Sequence, residues 1–104
     1  MAKALDTMWA RFLPEISERV RVIEEAAAAA VVGKWSEKRR VSVHQAAHKL
    51  AGTLGTFGLG RGTDLAREAE ILFTRDELGS EDAARLKKIA GAIREIVRGR
   101  GGAS

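Results

Sequence analysis

Ala47-His48-Lys49-Leu50-Ala51-Gly52-Thr53-Leu54-Gly55-Thr56-Phe57-Gly58-Leu59 is the stretch on which the reading of this chain turns. Wound as an α-helix at about 100° per residue, the apolar set Val43, Ala47, Leu50, Leu54 and Phe57 falls within about 60° of Leu50, while His48 lies about 160° away. The stripe faces a core and the imidazole faces outward. Four and seven residues after His48, on the same outer face, come Gly52 and Gly55. A glycine inside an exposed helix costs roughly 1 kcal/mol relative to alanine, so two on one face call for a reason. Either a neighbouring helix of the same bundle approaches closely there, or the glycines clear space beside the imidazole for another protein. Both readings stay open at the level of sequence.

Outward from this helix, the pattern stays helical. Leu5, Met8, Trp9 and Phe12 fall at helical spacing in a short first segment, which Pro14 is expected to end because proline disfavours helical geometry at the residue before it. Pro14 then suits the first turn of a second helix with an inward stripe of Ile16, Val20, Ile23, Ala27 and Val31, which Gly33 stops. Residues 33–41 read as a connection. Ser42, followed three residues later by Gln45, has the form of a capping box opening the helix that carries His48. Gly58, Gly60 and Gly62 break that helix, and Thr63 or a near neighbour opens the next, with Leu65, Ala69, Leu72 and Phe73 inward. Gly79 and Ser80 punctuate again before a last stripe of Leu86, Ile89, Ile93 and Ile96. The expected fold is all-α: an antiparallel up-and-down four-helix bundle preceded by a short N-terminal helix. Residues 1–98 form the domain and 99–104 a flexible C-terminal tail.

Composition bounds the function. The 104 residues suffice for one core. Cysteine is absent, which removes disulfides, thiolate metal sites and cysteine nucleophiles and suits a reducing, cytoplasmic setting. The longest apolar run, Ala26 to Val32, is far short of the roughly 20 residues that span a bilayer, so no membrane association is expected. A net charge of +4 and a pI near 10.0 favour an acidic partner without naming it. The basic residues are scattered except for Lys34, Lys38, Arg39 and Arg40.

Histidine is the residue type for a surface nucleophile near neutral pH, because a partner on one ring nitrogen selects which nitrogen attacks. His44 stands one turn before His48 and about 40° around the helix. Two imidazoles at that spacing lack the third protein ligand usual in catalytic zinc sites, so no metal is assigned, and His44 and Gln45 are read as flanking the site.

His48, Leu50, Gly52 and Gly58 match the hallmark of the histidine phosphotransfer family: a histidine, any residue, an apolar residue, usually lysine, then glycine, with a further glycine six residues later. The chain resembles that family over essentially the whole of Leu5 to Val97, including the position of the histidine on the second bundle helix. The resemblance implies a phosphoryl carrier in a two-component phosphorelay. His48 would accept a phosphoryl group through Nε2 from a receiver domain's aspartyl phosphate, or from a histidine kinase, and pass it to another response-regulator receiver. The chain would hold no cofactor, magnesium sitting on the receiver, and would act as a carrier rather than an enzyme. Lys49, Gly52, Gly55, His44, Gln45 and Arg61 would meet the phosphoryl group or the receiver, and Glu70 would orient the other ring nitrogen. One departure stands out: Ala51 occupies the usual lysine position, leaving Lys49, Arg61 or the Lys38 to Arg40 cluster to offset the phosphoryl charge.

Two other functions are compatible with parts of the sequence. A degenerate docking or regulatory module of the same fold, without phosphotransfer, is favoured by Ala51. A basic helical nucleic-acid-binding module is favoured by the pI, but the interleaved aromatics of single-strand binders and a helix-turn-helix are missing, so no nucleic-acid partner is expected. No second apolar stripe demands a dimer, and a monomer is expected.

Overall fold

The structure, a computed structural model, describes residues 2–102. Four helices follow one another: α1 (Ala2–Val31), α2 (Glu37–Thr56), α3 (Gly60–Leu72) and α4 (Ser80–Gly102), with no strand among the described residues. The short connections make successive helices antiparallel, and each packs on two neighbours in the ring α1–α2–α3–α4. The result is an up-and-down bundle measuring 46 × 20 × 19 Å. Among the described residues, no helix is long and apolar enough to cross a membrane.

The four stripes read from the sequence meet in one core. Ile16, Val20, Ile23 and Ala27 of α1, Val43, Ala47, Leu50 and Leu54 of α2, and Leu86, Ile89 and Ile93 of α4 are all buried, together with Ala69, Leu72 and the fully enclosed Phe73. Phe57, Leu65 and Ile96 are only partly covered. Val31 departs from expectation and is 70% exposed, because α1 has by then run past the shelter of its neighbours.

Three boundaries differ from the sequence reading, each for a physical reason. Pro14 does not separate a short first helix from the bundle: it lies inside the single helix α1. Trp9 is buried at 4% exposure, so the apolar positions 9, 12, 13, 16, 20, 23 and 27 form one uninterrupted stripe, and burying all of it favours a continuous helix over a break. Pro14 and Ala10 are both exposed, which lets water serve the Ala10 carbonyl that proline deprives of its donor. The expected result of Pro14→Ala is a gain of about 1–2 kcal/mol, the interior-proline penalty less the freedom returned to the unfolded chain. In thermal melts that is a rise of roughly 5–10 °C; an unchanged or lower midpoint would show that α1 depends on the proline.

Second, the Ser42–Gln45 capping box is not the start of α2. Ser36 is the N-cap, its side chain accepting from the Arg39 N–H at 3.2 Å, with Glu37 beside the positive end of the helix. Trp35 ahead of it stacks on Phe73 at 5.8 Å and donates to the Arg75 carbonyl at 3.3 Å, anchoring the connection and so placing the cap. Third, the tail drawn at 99–104 begins inside α4, which continues through Gly99 to Gly102. Arg100 lies 5.0 Å from the Trp9 ring and bonds Asp6 at 3.1 Å, which ties this last turn to α1; residues 103–104 lie outside the described residues.

Ion pairs across the helix seams set rotation more than stability. Arg94 donates twice to Glu24 of α1, at 2.8 and 2.6 Å, and this hydrogen bonding holds the Glu24 carboxyl below the usual carboxylate range. Its contribution is therefore present above the unfolded carboxylate pKa and is lost as pH falls through the lower folded value. At this degree of exposure it is worth about 1 kcal/mol or less.

Candidate functional site

The site is built on the antiparallel seam between α2 and α3. Gly58 has a φ of +73°, and the Gly58 and Leu59 N–H groups return to the carbonyls of Gly55 and Leu54, each at 3.0 Å. This is a Schellman ending, which needs a residue able to adopt the left-handed conformation; that need accounts for the second glycine of the sequence pattern. It turns the chain within three residues, so α3 comes back along α2. Gly62 is buried at this crossing, where an added β-carbon would stand 3.2 Å from Leu54 Cδ1. Thr63 Oγ1 donates to the Ala51 carbonyl at 3.3 Å and would lie 3.5 Å from a β-carbon on Gly55.

Eight residues, just over two turns, along α3 from Gly62, this register brings Glu70 to His48. His48 Nδ1 is 2.9 Å from Glu70 Oε2, and the imidazole is otherwise open, its side chain 72% exposed. An ionised carboxylate can only accept, so Nδ1 carries the proton and Nε2 keeps its lone pair toward solvent. Glu70 is itself only 22% exposed, which limits its rotamers and fixes the ring it holds. His44 Nε2 is 3.7 Å from the same carboxylate oxygen. His44, Gln45, His48, Lys49 and Glu70 line one shallow depression.

Of the two readings of the glycines, close helix approach does not apply to Gly52: a β-carbon there would meet no atom within 4 Å. At Gly55 the added carbon would make ordinary contact with Thr63. The glycine that does admit a neighbouring helix is Gly62, which the sequence pattern used only as a helix breaker. Arg61 is not brought to His48. The register sets it level with Phe57, nine residues or roughly 13 Å along the bundle from His48. Arg39 and Arg40 are about as far in the other direction, and Arg40 is paired with Glu37 at 3.0 Å. Ala51 is buried at 3% exposure. Arg67, absent from the sequence-level candidates, stands one turn before Glu70 on the face of α3 that meets α2; its only sequence signal was that spacing. Among the described residues, no group of three or more His, Cys, Asp or Glu side chains is placed to hold a metal ion.

Chemically, this arrangement offers an oriented nitrogen nucleophile on an open surface, backed by a carboxylate that can stabilise positive charge on the ring as Nε2 forms a bond. Glu70→Gln is expected to keep the fold and to slow chemical phosphorylation of His48 about tenfold, the difference between a charge-assisted and a neutral hydrogen bond. Labelling at the wild-type rate would show that Glu70 is an ordinary surface glutamate.

Residues 7–99 match the Hpt domain family, and the chain belongs to it. Domains of this family carry phosphoryl groups between receivers and kinases in two-component phosphorelays and are carriers rather than enzymes. The chain is also similar to Protein RcaC of Microchaete diplosiphon, with 27% identity over 94 residues, covering 89% of this chain and 14% of that protein. The chain thus spans only a small part of that relative's length. No solved structure shows a significant match.

Proposed function

We propose that His48 is the phosphoacceptor and that the chain relays a phosphoryl group from the aspartyl phosphate of one receiver domain to the aspartate of another. In the first step the Nε2 lone pair forms the N–P bond as the P–O bond to the aspartyl carboxylate breaks, and the bonding pair leaves with that carboxylate. The ring becomes positively charged, its Nδ1 proton held by Glu70; the second step runs the same exchange in reverse. The receiver supplies magnesium and the groups that stabilise the transferring oxygens, so this chain needs no cofactor of its own and contributes positioning. Gly52, Gly55, Gln45 and Lys49, with the exposed Leu5 and Met8, form the surface on which a receiver closes, and the setting is the cytoplasm, with the chain acting as a monomer. The observation that carries this reading is the exposed His48 ring tied through Nδ1 to Glu70 at 2.9 Å.

The test is incubation with phosphorylated receivers and magnesium, and separately with phosphoramidate, followed by mapping of the modified residue. An acid-labile, base-stable phosphate on His48 from both donors is expected. No label from either donor would defeat the proposal. A second reading, a docking module without transfer, is favoured by Ala51, where a buried methyl group replaces the family's usual cation; label from phosphoramidate but from no receiver would support it.

A further inference from the structure

We propose that Arg67 supplies the cation that holds the phosphoryl oxygens on His48, an assignment that rests on His48 being the phosphoacceptor. A phosphoryl group on Nε2 brings between one and two negative charges to a ring whose other nitrogen is already bonded to a carboxylate at 2.9 Å. Glu70 thus favours the cationic ring but repels the anion placed on it, and a positive group on the far side of the phosphoryl oxygens is needed to offset this.

The geometry selects among the cations. Two cross-helix pairs, His48 with Glu70 and Gly55 with Thr63, fix the antiparallel register, because their residue numbers add to the same total. The same register sets Arg67 level with Ala51, between His48 and Gly52. Around α3, Arg67 lies about 60° further out than Glu70, on the outer side of the face that meets α2. Lys49 borders the same depression as His48 and Glu70, but it is turned about 100° from His48 around α2 and so meets a phosphoryl group only from the side opposite α3. Arg67 is exposed and, among the described residues, enters no ion pair or hydrogen bond, with Asp64 one turn earlier or with any other group. The surface beside it is open, since no atom lies within 4 Å of where a β-carbon on Gly52 would be. A guanidinium has the reach to cross that space and the fork geometry to bind two phosphoryl oxygens at once. The cation missing from position 51 is in this way provided from the facing helix at the same level.

The test uses phosphoramidate, which needs no partner protein: Nε2 bonds to phosphorus, the P–N bond breaks, and its electron pair leaves with ammonia. Labelling of His48 is followed at low salt for the wild type, Arg67→Gln, Arg67→Lys and, as a control that removes an equal charge elsewhere, Lys87→Gln on α4. Arg67→Gln should be labelled roughly five- to tenfold more slowly, as loss of one solvent-exposed charge-assisted contact implies. Arg67→Lys should stay within about twofold of the wild type and Lys87→Gln should match it. In 1 M salt, where screening acts within about 3 Å, the Arg67→Gln deficit should shrink, which loss of a structural role would not produce. Equal rates for Arg67→Gln and wild type at low salt, or a deficit shared by Lys87→Gln, would overturn the assignment and leave His48 as acceptor intact. Failure of the wild type to label would instead remove the phosphoacceptor reading itself.

Discussion

His48→Gln is expected to retain the bundle and to lose phosphorylation completely, from receivers and from phosphoramidate alike. The side chain is 72% exposed and, among the described residues, bonds only to Glu70, and a glutamine amide can donate to the same carboxylate from a residue type that helices accept well. The change in stability should therefore be within about 0.5 kcal/mol, as for surface substitutions generally. Circular dichroism and the melting midpoint check that part. The chemical loss is total because an amide nitrogen delocalises its lone pair and cannot attack phosphorus. His44, the second imidazole beside Glu70, makes the experiment sharper: label persisting in His48→Gln would move the acceptor to His44 and end the proposed relay through His48.

Gly52→Gln separates docking from chemistry. A β-carbon at this position has open space within 4 Å, and replacing an interior helical glycine should stabilise the bundle by about 0.5 kcal/mol, a rise of roughly 2–4 °C. Phosphoramidate, being small, should still label His48 at close to the wild-type rate. Transfer from a receiver should fall roughly 30-fold or more, because the new side chain stands one turn from His48 in the middle of the docking surface, where a lost close contact costs about 2 kcal/mol or more. Unchanged transfer from several receivers would mean that the glycine clears no docking space. The contrast with Gly62 is instructive: both are helical glycines, yet only Gly62 has a neighbour, Leu54 Cδ1, at 3.2 Å.

Much of this was legible in one dimension because it depends on the 3.6-residue period. The stripes of α2 and α4, the outward direction of His48 and the break of α2 at the glycines from Gly58 onward all follow from local spacing and backbone sterics. The sequence placed His48 and Gly52 on one face without any knowledge of what surrounds them. Helix boundaries were less legible, since Pro14 and the two serines at 36 and 42 each satisfy a local rule that burial then accepts or overrides. Pro14 lost because the stripe from Trp9 to Ala27 runs straight through it. Ser42 lost because Trp35, stacked on Phe73, anchors the chain ahead of Ser36.

The amino-acid order by itself determined that this chain makes an all-helical bundle and that an exposed imidazole sits beside glycines on its second helix. Only the tertiary structure decided which residues on other helices reach that imidazole: it brought Glu70 to Nδ1, set Arg61 about two and a half turns away, and laid Arg67 level with Ala51. Periodicity is a property of one helix, whereas the pairing of two helices depends on where the turn between them closes and on which small residue, here Gly62, lets them meet.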